Sequence, residues 1–220
     1  MAGAAQASGP DSPLPQPALP HSYSGTPSTP QVWSGAYLGL QLGYACCGRD
    51  RVQLAPAPPG VIGTMREHGG LLTFHGGHNW QRDGWVSGVE GMLTLGNVGD
   101  RLTAGTASAS VRINPAVELR GRIGRASGEG LFYATGGLAI GRVAYQAGDT
   151  AVPSNITATY WEPGLSVGAG YERRLVGGDW TIRGEYSYTL FRGRNLTDGV
   201  RTTRATPDYH ALRLGLSRRF

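Results

Sequence analysis

Between Trp33 and Phe220 the apolar residues of this chain recur at every second position, in segment after segment, and almost nowhere at helical spacing. A period of two marks a β-strand with one oily and one polar face, because successive side chains point to opposite sides. "WSGAYLGLQLGYAC" (33–46) puts Leu38, Leu40, Leu42 and Tyr44 on one face, and Tyr37, Gly39, Gln41 and Gly43 on the other. "HALRLGLSRRF" (210–220) sets Leu212, Leu214 and Leu216 against Arg213, Gly215 and Ser217. Further segments at 71–80, 85–95, 117–125, 131–141, 165–172 and 180–188 obey the same rule and bring the strands to eight.

The connections alternate in length. "QRDG", "ASGEG" and "RRLVGGD" are short, whereas the linkers at 46–69, 96–113, 142–161 and 189–208 hold most of the remaining proline, Ser/Thr and charge. An even number of antiparallel strands can close on itself and leave no edge. The expected fold is therefore all-β: an eight-stranded antiparallel up-and-down barrel over 32–220.

Which way the oil faces decides the solvent. A soluble barrel keeps its apolar side inside, and a membrane barrel inverts this. The residues opposite the leucines and valines include Glu90, Glu118, Glu172 and Glu185, with Arg120, Arg122, Arg183 and Arg213. Four acids against four arginines, spaced by glycine, serine and threonine, suit a narrow lumen in which each buried charge needs a partner. The 36 glycines would make room there. Trp33, Trp80, Trp85, Trp161 and Trp180 lie at or near strand ends, where membrane barrels carry aromatic girdles. The pattern predicts a transmembrane barrel; a soluble barrel with a solvated polar face is the alternative.

The first 31 residues hold seven prolines and no apolar h-region, so they predict a disordered, partly polyproline segment and no intact signal peptide in this chain. No apolar run approaches the ~20 residues of a membrane helix. All basic residues are arginine, whose fork binds carboxylates and phosphates bidentately. The two cysteines, Cys46 and Cys47, are adjacent, which closes only a trivial loop and gives no metal-ligand spacing.

"WSGAYLGLQLGY", "GGHNWQ", "GVEG", "LRGRIGRA", "LFYATGGLAIGR", "VGAGYERRL" and "IRGEYSY", in that order and ending in "RF", resemble the porin-like outer-membrane immunogenic proteins of rhizobia and brucellae, which are OmpA-like barrels. The resemblance covers 33–220. It implies an outer-membrane location, surface loops, roles in envelope integrity and surface contact, and in some members hemin binding. It also implies that Phe220, the aromatic closing the last strand, is the signal read by the barrel assembly machinery. The proline-rich start and Cys46-Cys47 depart from the family pattern.

No catalytic, metal or resident cofactor site is expected. "GLSVG" (164–168) mimics a nucleophile elbow, but Ser166 sits within an alternating strand and not on a strand–turn–helix. His75 and His78 have opposite parity, which spoils them as a chelating pair; His68, in the first long linker, is the candidate for hemin capture. The last linker carries Arg192, Arg194, Arg201 and Arg204, expected contacts for lipopolysaccharide phosphates. The expected partners are outer-membrane lipid and lipopolysaccharide, the assembly machinery and a host or surface ligand, with no nucleic acid. The functional reading is a non-enzymatic envelope protein. A loop-mediated binding protein and a lipid-modifying enzyme are its rivals.

Overall fold

The computed structural model describes Gly3 and residues 32–56, 60–152, 154–176 and 179–220. The expected N-terminal disorder over 1–31 lies outside these residues, Gly3 excepted. Eight strands close the barrel: β1 (Gly35–Cys46), β4 (Gly69–Arg82), β5 (Trp85–Gly96), β7 (Ala107–Ser127), β8 (Gly130–Asp149), β9 (Ser154–Arg174), β10 (Trp180–Phe191) and β13 (Asp208–Arg219). Every neighbouring pair is antiparallel, and β5 pairing with β7 completes the circle. No edge is left in the closed part. One tight turn uses Asp83 (φ 50°) and Gly84 (φ 78°), the positive-φ pair that an Asp-Gly hairpin supplies most cheaply.

Five more strands were absent from the expected count. β2 (Asp50–Leu54) and β3 (Gly60–Met65) form one hairpin; β11 (Arg194–Thr197) and β12 (Thr202–Ala205) form another. β6 (Val98–Ala104) pairs onto an extension of β7. The linkers expected at 96–113 and 142–161 are largely sheet, because β7, β8 and β9 run for 20 or 21 residues while β1, β5, β10 and β13 have 12. At ~3.4 Å per residue the long strands carry about 30 Å of additional sheet beyond the barrel wall.

The faces follow the solvent. Leu38, Leu42, Leu119, Leu138, Leu165, Leu212 and Leu214 are all more than 60% exposed on the outer wall, where lipid replaces water. Above Ile140 on β8 the polarity reverses: Val143, Tyr145 and Ala147 turn inward, and Arg142 and Gln146 turn outward. On β7 a register shift between Ile113 and Ala116 makes the same exchange. The extension is thus built like a water-soluble barrel on top of a membrane one. Its core gathers Val52, Leu54, Met65, Val111, Tyr145 and Ile156 from five strands.

Trp80, Trp85, Phe132 and Trp180 ring the short-turn end, with Tyr44, Trp161 and Tyr186 towards the other; all are exposed. Trp33 departs from the expected girdle and is fully buried. It shares the inward parity of Tyr37 and Gln41, so it stops the barrel from within, packed with Val86, Leu131 and Tyr133. Tyr160 likewise turns inward, beneath the Arg194 guanidinium 4.5 Å from its ring.

Candidate functional site

The inward parity of five strands delivers eight charged side chains to the lumen. Glu90 comes from β5, Glu118, Arg120 and Arg122 from β7, Glu172 from β9, Arg183 and Glu185 from β10, and Arg213 from β13. Arg120 bridges Glu90 at 2.5 Å and Glu185 at 2.8 Å. Arg183 bridges the same two acids, each at 2.6 Å. Arg122 pairs with Glu172, which also accepts the Thr181 hydroxyl at 2.6 Å. The side chains of these residues have no exposure at all. Buried charges are costly without partners, and alternation of sign across a ring supplies them.

Glu118 is the loosest member: Arg120 and Arg213 stand 3.9 and 3.8 Å away, and neither donates a hydrogen bond to it. Arg213 instead donates to Ser187 at 2.5 Å. Two tyrosines complete the network. Tyr37 donates to Glu90 at 2.9 Å and Tyr133 to Glu185 at 3.0 Å, while the Arg122 guanidinium lies 3.7 Å from the Tyr133 ring centre. A Cβ at Gly77 would come within 2.7 Å of the Tyr37 hydroxyl, so glycine there makes space for the ring. Neither tyrosine was singled out from the sequence, although their odd parity within inward-facing segments was a usable signal.

Acids crowd the level above, outside the membrane-spanning wall. Asp208 accepts the Arg49 N–H at 2.7 Å and the Tyr188 hydroxyl at 2.8 Å. Asp50 accepts Thr206 through N–H at 2.9 Å and hydroxyl at 3.0 Å. Glu67 is fully buried beside them, and neither of its oxygens meets a partner among the described residues. Burial, with Asp50, Asp208 and Asp100 nearby, pushes its carboxyl up to about 8, and burial raises Asp50 also.

The loops are bonded into one body. Asp198 accepts the backbone N–H groups of Arg201 (2.7 Å) and Val200 (2.9 Å), the Ser154 hydroxyl (2.7 Å) and the Asn155 N–H (2.9 Å). These donors hold its carboxyl well below the usual range. Cys46 and Cys47 form a vicinal disulfide at the outer end of β1, where Cys47 has a φ of 68°.

The four arginines of the last linker divide. Arg201 is buried, ion-paired with Asp149 at 3.3 Å and donating to the Pro56 carbonyl at 2.8 Å. Arg194 reaches Glu162 at 3.0 Å. Arg192 and Arg204 are exposed. His68 is exposed, and its Nδ1 donates to the Arg66 carbonyl at 2.9 Å. His75 is buried against Ser217 at 2.8 Å, while His78 faces out beside Trp80. Phe220 is 67% exposed, its N–H bonded to Ala36 at 2.9 Å.

Residues 22–220 match the model of the outer membrane protein β-barrel domain family. The chain is 30% identical to a 31 kDa outer-membrane immunogenic protein of Brucella melitensis, over 86% of its own length and 84% of the relative's. It is 33% identical to a 22 kDa outer membrane protein of Rhizobium leguminosarum bv. viciae, over 66% and 63%. Among solved structures it is similar to the outer membrane protein OprG of Pseudomonas aeruginosa, with a TM-score of 0.52 at 13% identity, covering 85% of this chain and 96% of that one. Neisserial surface protein A gives a TM-score of 0.50 at 13% identity, covering 85% and 98%.

Proposed function

The chain belongs to the outer membrane protein β-barrel domain family, and from that premise we propose that it is a non-enzymatic envelope protein. It anchors a folded extracellular crown in the outer membrane, serves envelope integrity and surface contact, and does not conduct solutes. The observation that carries this reading is the lumen: Glu90, Arg120, Arg183 and Glu185 bridge it with side chains of zero exposure. Trp33 and Leu131 fill it below, and the apolar core around Val111 and Tyr145 fills it above. An eight-stranded barrel is narrow enough for side chains to fill, so its likeness to porins is one of fold and not of flux. The name of the Brucella relatives, immunogenic, fits a crown displayed at the surface.

Planar-bilayer recording tests this. The purified barrel should give no stable, large conductance steps, and such steps would overturn the reading. The lipid-modifying alternative has little support: the outward His210 is hydrogen-bonded to Tyr186 at 2.6 Å, with its ring stacked on that of Tyr186 and 4.6 Å from that of Tyr188, while Ser187 faces inward. Hydrolysis of lipopolysaccharide acyl chains by the purified protein would revive it.

One further observation favours a second reading, hemin capture. A groove of about 520 Å³ is lined by Cys47, Gly48, Arg49, Thr64, Arg66 and His68. Because a carbonyl can only accept, the bond from His68 Nδ1 to Arg66 leaves the Nε2 lone pair of the neutral ring free for iron, and the arginines suit propionates. A Soret shift on hemin addition that disappears in His68→Ala would support it; an unchanged shift would exclude His68.

A further inference from the structure

Where the long strands leave the lipid, their outer face changes from leucine and valine to arginine, serine, threonine and amide. Arg101 on β6, Arg112 on β7 and Arg142 on β8 are all exposed there. Gly99 is the cross-strand partner of Arg112, and Arg101 of Ser110, so Arg101 and Arg112 are diagonal neighbours. Arg112 pairs with Ala144, which places Arg142 diagonally below it and directly across from Trp161. Diagonal neighbours on one face stand about 7–8 Å apart. The three guanidinium groups thus form a row that descends to the membrane boundary, marked by Trp161 and Ile140.

None of the three has an acidic side-chain partner among the described residues, whereas the carboxylates near them are already occupied. Asp100 accepts the backbone N–H groups of Arg66 (2.6 Å) and Arg101 (2.7 Å), and Asp149 holds Arg201 at 3.3 Å. Beside the upper two arginines lies a hollow of about 460 Å³, lined by Arg101 and Arg112 with Asp100, Ser110, Gln146, Thr157 and Thr159, while Arg142 stands outside its lining. A second hollow of about 530 Å³ continues it upward, sharing Arg101 and Gln146 and adding Asn155.

We propose that this hollow binds the phosphorylated sugar headgroup of lipopolysaccharide in the surrounding outer leaflet. Guanidinium forks bind phosphate bidentately, and hydroxyl and amide side chains match sugar hydroxyls. The position selects the source. A headgroup tethered to acyl chains must sit immediately above the lipid-facing wall of Leu138, Ile140 and Trp161, where the row ends; a soluble glycan would need no such alignment. The proposed contact surface is therefore the β6–β9 wall; in the last linker, Arg201 and Arg194 are held by Asp149 and Glu162.

The test uses the full chain in detergent micelles and, as probe, rough lipopolysaccharide with bis-phosphorylated lipid A. The variant Arg101→Gln/Arg112→Gln/Arg142→Gln should bind at least tenfold more weakly than the unmodified chain. A control, Arg82→Gln/Arg125→Gln/Arg173→Gln, removes the same charge at the short-turn end and should change affinity less than twofold. Dephosphorylated probe should bind the unmodified chain as weakly as intact probe binds the first variant. Both variants should keep the heat-modifiable gel shift of the folded barrel. Equal affinity in the first variant, or an equal loss in the control, overturns the proposal. So does a first variant that loses heparin binding while holding lipopolysaccharide unchanged, since the wall would then serve a soluble glycan.

Discussion

Arg183 and Glu90 face each other from diametrically opposite strands of the barrel and meet at 2.6 Å. With Arg120 reaching the same glutamate, one carboxylate ties three strands across the lumen. Removing it should hurt more than adding it ever helped, because two guanidinium groups would remain buried without their acid. Glu90→Ala should cost about 3–5 kcal/mol, read as a lowered urea midpoint in detergent. A cost below about 1 kcal/mol would mean that water enters the lumen and screens the arginines.

The reversal of faces on β8 makes a paired prediction. Leu138→Arg places a charge in the lipid-facing wall and should destabilise the barrel in vesicles by about 2–4 kcal/mol. Ala144→Arg lies on the same strand and face, six residues further along and beyond the boundary, and should cost close to nothing. Equal costs would place the boundary elsewhere.

Glu67 gives a pH dependence whose sign is fixed by its environment. Its folded-state value, about 8, lies above the ordinary 4.5, so the native state keeps a proton that the unfolded chain releases. Stability contributed by the protonated carboxyl is complete below about pH 4.5 and is lost as pH rises towards 8. Glu67→Gln should flatten that fall and stabilise the protein by a few kcal/mol at pH 8. Thermal midpoints of both forms at pH 5 and pH 8 check it; parallel slopes would sink it.

Phe220 makes modest contacts: one backbone bond to Ala36 and the Arg218 guanidinium 5.5 Å from its ring. Phe220→Ala should leave refolding in detergent within about 1 kcal/mol of the unmodified chain. In cells it should lower the assembled, heat-modifiable fraction several-fold, as expected of a signal read by the assembly machinery. Equal losses in both settings would make it a packing residue only.

The membrane wall was legible in the sequence because each residue there has one solvent on one side. Leu212, Leu214 and Leu216 needed only parity to be placed. The crown was illegible for the same reason turned round. On β8 the apolar parity passes from even at Leu138 and Ile140 to odd at Val143 and Tyr145, with no break in the strand. A reader holding one solvent fixed sees the pattern fail and infers a loop. Parity also sends Arg183 and Glu90 inward without saying that they meet, since contacts across a lumen depend on the stagger of the whole circle. Nothing local to Arg201 announces Asp149, a residue 52 positions away.

The bonds between loops have a consequence for whatever meets this surface. Asp50 binds Thr206 across 156 residues, Arg49 binds Asp208 across 159, and Asp198 binds Ser154 across 44. An antibody or ligand touching the crown therefore reads residues remote in the chain at once, and short linear peptides will reproduce little of what it sees. Drift in one loop must also be matched by its bonded neighbours, so the exposed tips are freer to vary than the joints that hold them.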